Sequence, residues 1–472
     1  MAQRRSTILI CSLALMLRLV PVLLTRNLPI SLDDMFQYDA LARSIVAGHG
    51  YRWYPEQDLA LIQRYITIKT PTDYDPRGIP TSFRAPGYPA FLALVYAIGG
   101  TGRHRFFVAR LAQAFLGAAL VPLCWVLARQ IGFREPVARW TAIIISAFPL
   151  LIIYPLALAS ENLFGPLLTL ALVLVLRTGR RGHARDPILA GLVLGLAALT
   201  RSIAAGFVPL AALWVWWISK KKRSGPRNVI LLILCFLLVT LPWAVRNTLL
   251  HGQLTWIETS LGYNLYIGYH PQSTGTFQYG ISLDLLPILD DAERNARGLE
   301  ACLGFVGSDP WRVPYLMVRK AGHLWGLDSR ALIYFYANGK LGHWPAWLMG
   351  LALLLICGPL VVLAPAAAGG LVCGRMCERK ALIKWLLVYY TGMHMLIMAE
   401  PRFHVPLVPI VTVLATYFFV ERPCQWSRPW QQRLFSLLII LLLANWALEL
   451  TQGWNTLVAL FGPEGHRLYL PY

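Results

Sequence analysis

The sequence predicts an all-α polytopic membrane protein of about 11 transmembrane helices, with amphipathic juxtamembrane helices in its outer loops. Three observations predict it. Apolar runs recur from end to end of 472 residues, 57% of which are hydrophobic, and the mean hydropathy is +0.53. Basic residues concentrate on alternate connections between those runs. Aromatic residues are plentiful, with 17 Trp and 20 Tyr, as interfacial belts require.

Candidate spans fall at about 7–25, 107–128, 138–157, 162–176, 187–200, 203–218, 228–245, 346–364, 381–398, 404–420 and 433–449. Arg4 and Arg5 precede the first run without a small-residue cleavage site, so it reads as an anchor. Gly87–Gly99 is apolar but only about thirteen residues long, too short to cross, and reads as interfacial or re-entrant.

With the N-terminus cytoplasmic, the inner segments carry 21 of the 43 Lys and Arg, including Lys220–Arg223, but only four acids: Glu135, Asp186, Glu378 and Glu421. That is the positive-inside pattern. Counting Gly87–Gly99 as a span would invert every later loop. The net charge of +20 therefore reports topology, and no nucleic-acid partner is expected. Of the eight cysteines only Cys302 falls in a long polar loop, so no disulfide framework is implied, and Cys373 with Cys377 reads as incidental.

Two long outer segments remain, 26–106 and 247–345. The first opens on Ser31-Leu32-Asp33-Asp34-Met35-Phe36-Gln37-Tyr38-Asp39. Tyr38, Leu41, Ala42, Ile45 and Val46 follow with helical spacing. Asp33 and Asp34 thus sit in the first turn of an amphipathic helix at a membrane mouth. Acids there cap a helix, yet two adjacent carboxylates at that depth also mark a functional site. The second segment contains amphipathic pieces such as Val313–Trp325. Asp73-Tyr74-Asp75, flanked by Pro71 and Pro76, reads as a turn.

Charged residues at span ends cluster on the outer side: Glu161, Arg201, Arg246, Glu400, Arg402 and, before the interfacial helix, Arg84. Each alone could snorkel to the interface. Together they suggest one polar cavity. Arginines suit an anionic head group such as a phosphate diester, and a nearby carboxylate could take a proton from an attacking hydroxyl. The chain contains no G-x-x-x-x-G-K-[ST], so no nucleotide-binding domain is expected.

Several blocks then resemble one family in order: Asp33-Asp34 with Tyr38, Gly48-His49-Gly50-Tyr51, Arg84-Ala85-Pro86-Gly87-Tyr88-Pro89, Arg110-Leu111-Ala112-Gln113-Ala114, Ser160-Glu161-Asn162, Leu199-Thr200-Arg201, Pro242-Trp243-Ala244-Val245-Arg246-Asn247, Gly262-Tyr263-Asn264 and Glu400-Pro401-Arg402-Phe403-His404. They resemble the GT-C membrane glycosyltransferases. The nearest group is the bacterial family related to dolichyl-phosphate-mannose protein mannosyltransferases and lipid A aminoarabinose transferases.

The resemblance covers residues 1–420, leaving 421–472 as an extra helix and outer tail. It implies a GT-C fold. It implies transfer, with inversion, from a polyprenyl-phosphate-sugar donor to a glycan, lipid or protein acceptor. The site would face outward from a bacterial inner membrane. By position Asp33 is the implied general base, with Asp34 where the family usually has Glu. Arg84 is the implied ligand of the carrier phosphate. Arg402, Arg201 and Arg246 are grouped with it as candidate phosphate-binding residues. Tyr38, Tyr88, Glu161, Glu400 and His404 are read as lining the same cavity. The scheme needs no cofactor, and no residue pattern indicates a divalent metal. The competing class is a transporter or flippase of lipid-linked sugars. Such proteins place charges near the midplane and often carry internal repeats; here the charges lie at the outer ends and no repeat is visible.

Overall fold

The computed structural model describes residues 2–70, 72–181, 183–220, 224–373, 378–422 and 428–468. Each of the eleven expected spans falls on helix. Among the described residues seven helices are long and apolar enough to cross a membrane: Thr7–Leu24, Arg105–Ile131, Glu161–Arg180, Gly225–His251, Ala346–Val372, Pro401–Glu421 and Pro429–Gln452. An eighth candidate is the pair Glu135–Ala147 and Pro149–Leu156, bent by 52°. The bend has a local cause. Phe148 is extended (φ −67°, ψ 112°), as a residue before proline prefers, and Pro149 has no N–H for the helical ladder. The other three expected spans are Arg185–Thr200, Ile203–Ser219 and Glu378–Leu396, of 16, 17 and 19 residues. A 16-residue helix is about 24 Å long, short of a hydrocarbon core of about 30 Å.

Close packing follows from small residues. On the Arg185–Thr200 helix, a Cβ at Gly191 would lie 2.3 Å from the Leu232 carbonyl oxygen, and one at Gly195 would lie 2.6 Å from Val239 Cβ. This Gly-x-x-x-Gly pair lets the backbone of Gly225–His251 approach, as at small-residue crossings in membranes.

The interfacial helix forms as expected, at Gly87–Gly99, and Gly100 at φ 83° ends it. It packs on the Asp34–Val46 helix. Tyr88 meets Tyr38 edge-on at 4.8 Å. The Tyr96 hydroxyl donates to Asp39, which Arg43 and Arg105 also hold.

The only strands among the described residues are Arg52–Trp53 and Ile79–Pro80, paired antiparallel. Asp75 lies in a turn, ion-paired with Arg52 and Arg77; Pro71 lies outside the described residues, as does Cys377. The expected amphipathic piece is the Arg312–Leu324 helix, with Leu316 and Leu324 buried and Tyr315 and Val318 exposed.

The two outer segments fold onto each other. Thr259 N–H donates to the Ser82 carbonyl at 3.0 Å. Asp291, at the start of Asp291–Ser308, accepts from Thr81 Oγ1 at 2.6 Å and from Ser82 N–H at 2.8 Å. Its other oxygen pairs with Arg294 at 2.5 Å, and both side chains are 1% exposed. The Arg294 guanidinium lies over the rings of Trp53 and Phe83. A buried charge is tolerated only when paired, so this cluster fixes the stretch that leads into Arg84.

Candidate active site

The site is built where the Asp34–Val46 helix begins. Asp33 is the N-cap: its Oδ1 accepts from Met35 N–H at 2.8 Å, satisfying one of the orphan donors of a first turn. Its Oδ2 accepts from the Tyr334 hydroxyl at 2.5 Å. Tyr334 belongs to the Ser329–Ala337 helix of the second outer segment.

Asp34 has a different environment. Arg84 donates to its Oδ1, and Arg402 ion-pairs with its Oδ2 at 2.8 Å. The side chains of Asp34, Arg84 and Arg402 remain 26%, 22% and 36% exposed, so the cluster is reachable from solvent. Arg84 also donates to Gln37 Oε1 at 2.8 Å. Arg402 pairs with Glu400 at 2.6 Å, and Arg330 pairs with the same carboxylate at 3.1 Å. Arg201 pairs with Glu161 at 2.8 Å and donates to Ser160.

The adjacent carboxylates are driven in opposite directions. Burial raises the Asp33 pKa, and the charge of Asp34 adds to this; the bonds from Tyr334 and Met35 and the charge of Lys340 lower it without cancelling the rise. Burial also opposes ionisation of Asp34. There Arg84 and Arg402 more than offset it and hold the carboxyl well below the usual carboxylate range.

The remaining expected residues stand around this core. The Tyr38 ring lies under the Arg84 guanidinium at 5.7 Å. Tyr88 is fully buried and donates to Gln113 Oε1 at 2.5 Å. His404 is likewise enclosed: Nε2 meets Asp328 Oδ1 at 2.7 Å and Nδ1 meets the Leu324 carbonyl at 2.7 Å. Both face protein groups behind the network, not the solvent-reachable cluster. Arg246 donates to the carbonyls of Thr81 and Tyr51 at 2.6 and 3.3 Å. In this arrangement it supports the first outer segment from below. Among the described residues no three His, Cys, Asp or Glu side chains converge as a metal site.

Four participants escaped sequence reasoning: Gln37, Tyr334, Lys340 and Arg330. Gln37 was within the opening polar run, one helical turn from Asp33. Arg330 and Tyr334 lie in the Ser329–Ala337 helix and Lys340 just beyond it, a stretch with no local signal.

Residues 83–245 match the profile described as dolichyl-phosphate-mannose-protein mannosyltransferase. That segment includes Arg84, Glu161 and Arg201, and excludes Asp33, Asp34 and Arg402. No curated protein matches the chain in sequence. The apo crystal structure of the Archaeoglobus fulgidus oligosaccharyltransferase superposes with a TM-score of 0.51 and 14% identity, over 99% of this chain and 60% of that one. The chain has the GT-C fold.

The GT-C resemblance read from the motif blocks is thus borne out by fold and by profile. The chain spans about 60% of the archaeal enzyme's length. The same enzyme with an inhibitory peptide and a dolichol-phosphate gives a TM-score of 0.47 at 13% identity, over 99% of this chain and 60% of that one. ArnT from Cupriavidus metallidurans bound to undecaprenyl phosphate gives 0.41 at 14% identity, over 88% of this chain and 77% of that one.

Proposed function

We propose that this GT-C chain is a glycosyltransferase that uses a polyprenyl-phosphate-linked sugar as donor. The acceptor is a hydroxyl of a glycan, lipid or protein at the outer face of a bacterial inner membrane. Residues 1–420 form the catalytic region, and 421–472 add a helix and tail.

The observation that carries this reading is the contrast between the paired acids. Asp34 spends its charge on Arg84 and Arg402 and is a weak base. Asp33 has only neutral donors in contact and a raised pKa. A general base works best with a pKa near the working pH.

In the proposed step the acceptor oxygen attacks the anomeric carbon from the side opposite the phosphate. The bond from that carbon to the phosphate oxygen breaks, and its electrons leave with the carrier monophosphate. The hydroxyl proton passes to Asp33. Inversion follows from the single displacement. The departing phosphate gains negative charge, which Arg84 and Arg402 are placed to hold. Arg201 adds positive charge nearby, and apolar grooves between helices take the prenyl chain.

Cell-envelope glycans, read by mass spectrometry, test the proposal in cells that lack the gene and in cells complemented with variants. Wild type should restore a glycan substituent that Asp33→Asn does not. Full restoration by the Asp33→Asn, Asp34→Asn double variant would remove this loop from the chemistry.

A further inference from the structure

Asp33 is reached from a distant part of the chain. Its bond to Tyr334 joins residues 301 apart in sequence. Lys340, just beyond the same helix, donates to Ser31 Oγ and lies 3.5 Å from the Tyr334 hydroxyl, with its ammonium 5.0 Å above the Tyr334 ring. Ser31, Asp33, Tyr334 and Lys340 therefore form one connected cluster. Its two halves come from the two long segments, 26–106 and 247–345.

We infer that Tyr334 and Lys340 are positioning residues for Asp33, so that the second outer segment completes the site that the first begins. The inference deepens the proposed function, since it takes Asp33 as the base. Three features of the geometry support it. First, the cap bond to Met35 fixes Oδ1, and the Tyr334 hydroxyl fixes Oδ2. A carboxylate held at both oxygens keeps one orientation, the condition for a positioned base. Second, Lys340 is the cation of this cluster, and among the described residues it makes no ion pair. Arg84 and Arg402 are committed to Asp34, Arg201 to Glu161 and Arg330 to Glu400. A lysine whose partners are hydroxyls orients them without taking the proton-accepting oxygen. Third, Arg110 anchors the stretch before Ser31 from below, donating to the Leu28 carbonyl at 2.6 Å. The floor of the cluster is thereby fixed.

The charges facing Asp33 are few: Asp34 beside it, and Lys340 with the Tyr334 hydroxyl above. Arg84 and Arg402 lie beyond Asp34, and Arg110 lies behind Lys340. The hydrogen bonds from Tyr334 and Met35 and the Lys340 cation favour the ionised form of Asp33, while burial and Asp34 oppose it. Removing the Tyr334 hydroxyl or the Lys340 charge should make Asp33 bind its proton more tightly.

The labelling readout needs no knowledge of the sugar. The purified full chain is treated with a water-soluble carbodiimide and an amine nucleophile over a pH series. This reagent pair modifies protonated carboxyl groups. Fragment-ion mass spectrometry then reads Asp33 and Asp34 separately. In Tyr334→Phe and in Lys340→Met the midpoint of Asp33 modification should move to higher pH, with Asp34 unchanged. The acid limb of the pH–activity profile should move the same way, because activity needs Asp33 unprotonated. An unmoved Asp33 midpoint in both variants overturns the inference. So does a joint shift of Asp33 and Asp34, which would report general loosening of the loop. A shifted midpoint alongside an active Asp33→Asn variant would uphold the positioning role while ending the proposal that Asp33 is the base.

Discussion

Asp33 and Asp34 are neighbours in sequence but not in chemistry, because Asp33 is the non-helical N-cap and Asp34 the first helical residue, so their side chains leave the backbone toward different partners. One faces Tyr334, the other two arginines. Asp33→Asn keeps a side chain that caps about as well as Asp but cannot accept a proton. Turnover should fall by roughly a hundred- to ten-thousand-fold, with folding yield close to wild type. Asp34→Asn should behave differently. It leaves Arg84 and Arg402 without their shared carboxylate, and should lower donor affinity and stability together. Arg84→Ala removes a charge-assisted contact worth about 1.5–3 kcal/mol, or roughly ten- to over a hundred-fold in donor affinity. Binding of a polyprenyl phosphate to the purified variant measures it. Unchanged affinity in a well-folded variant would take Arg84 out of the site. The two acids stood out in the sequence as part of a polar run at a membrane mouth, and Arg84 as the charge ahead of a short apolar helix. Tyr334 and Lys340 did not. A tyrosine and a lysine in a long loop carry no local sign of a partner some 300 residues away.

Elements were more legible than their contacts. The thirteen-residue apolar run became the Gly87–Gly99 helix with those bounds, because Pro86 and Gly100 punctuate it. The Asp34–Val46 helix starts where the cap signal put it. The kink at Phe148 was hidden, since Pro149 sits inside an otherwise continuous apolar stretch. The docking of Asp291–Ser308 onto Thr81 and Ser82 was also hidden, because two adjacent acids at a helix start carry no sign of which one is buried. Asp290 is the cap, bonding Glu293 N–H at 2.8 Å. Asp291 is the buried partner of Arg294. Asp291→Ala would leave that arginine buried and unpaired, a loss of about 3–5 kcal/mol. A lower unfolding temperature in detergent, by static light scattering or native-size chromatography after heating, should reveal it. Asp290→Ala, which removes only a cap, should cost about 1 kcal/mol. Equal losses in the two variants would contradict the assignment.

At the scale of the molecule, sidedness links the fold to the function. Arg201 and Lys220 bracket the helix Ile203–Ser219, of 17 residues, so they are separated by about 25 Å along its axis. Arg201 belongs to the polar network through Glu161. Lys220 opens the basic cluster whose other members, 221–223, lie outside the described residues. The network and Lys220 therefore sit at opposite ends of one helix. The preference of short basic connections for the cytoplasmic side predicts that the network faces outward. The same prediction then holds for the second long segment, because Ala399, next to Glu400, donates to the Gly275 carbonyl at 3.3 Å. Single cysteines at two exposed positions, Lys220 and Gln272, in a chain with its native cysteines replaced, test this in intact cells. A membrane-impermeant thiol reagent should label Gln272→Cys directly. It should label Lys220→Cys only after the membrane is opened. The reverse pattern would turn the chain over, place the arginine and carboxylate cluster in the cytoplasm, and remove the argument for a lipid-linked donor.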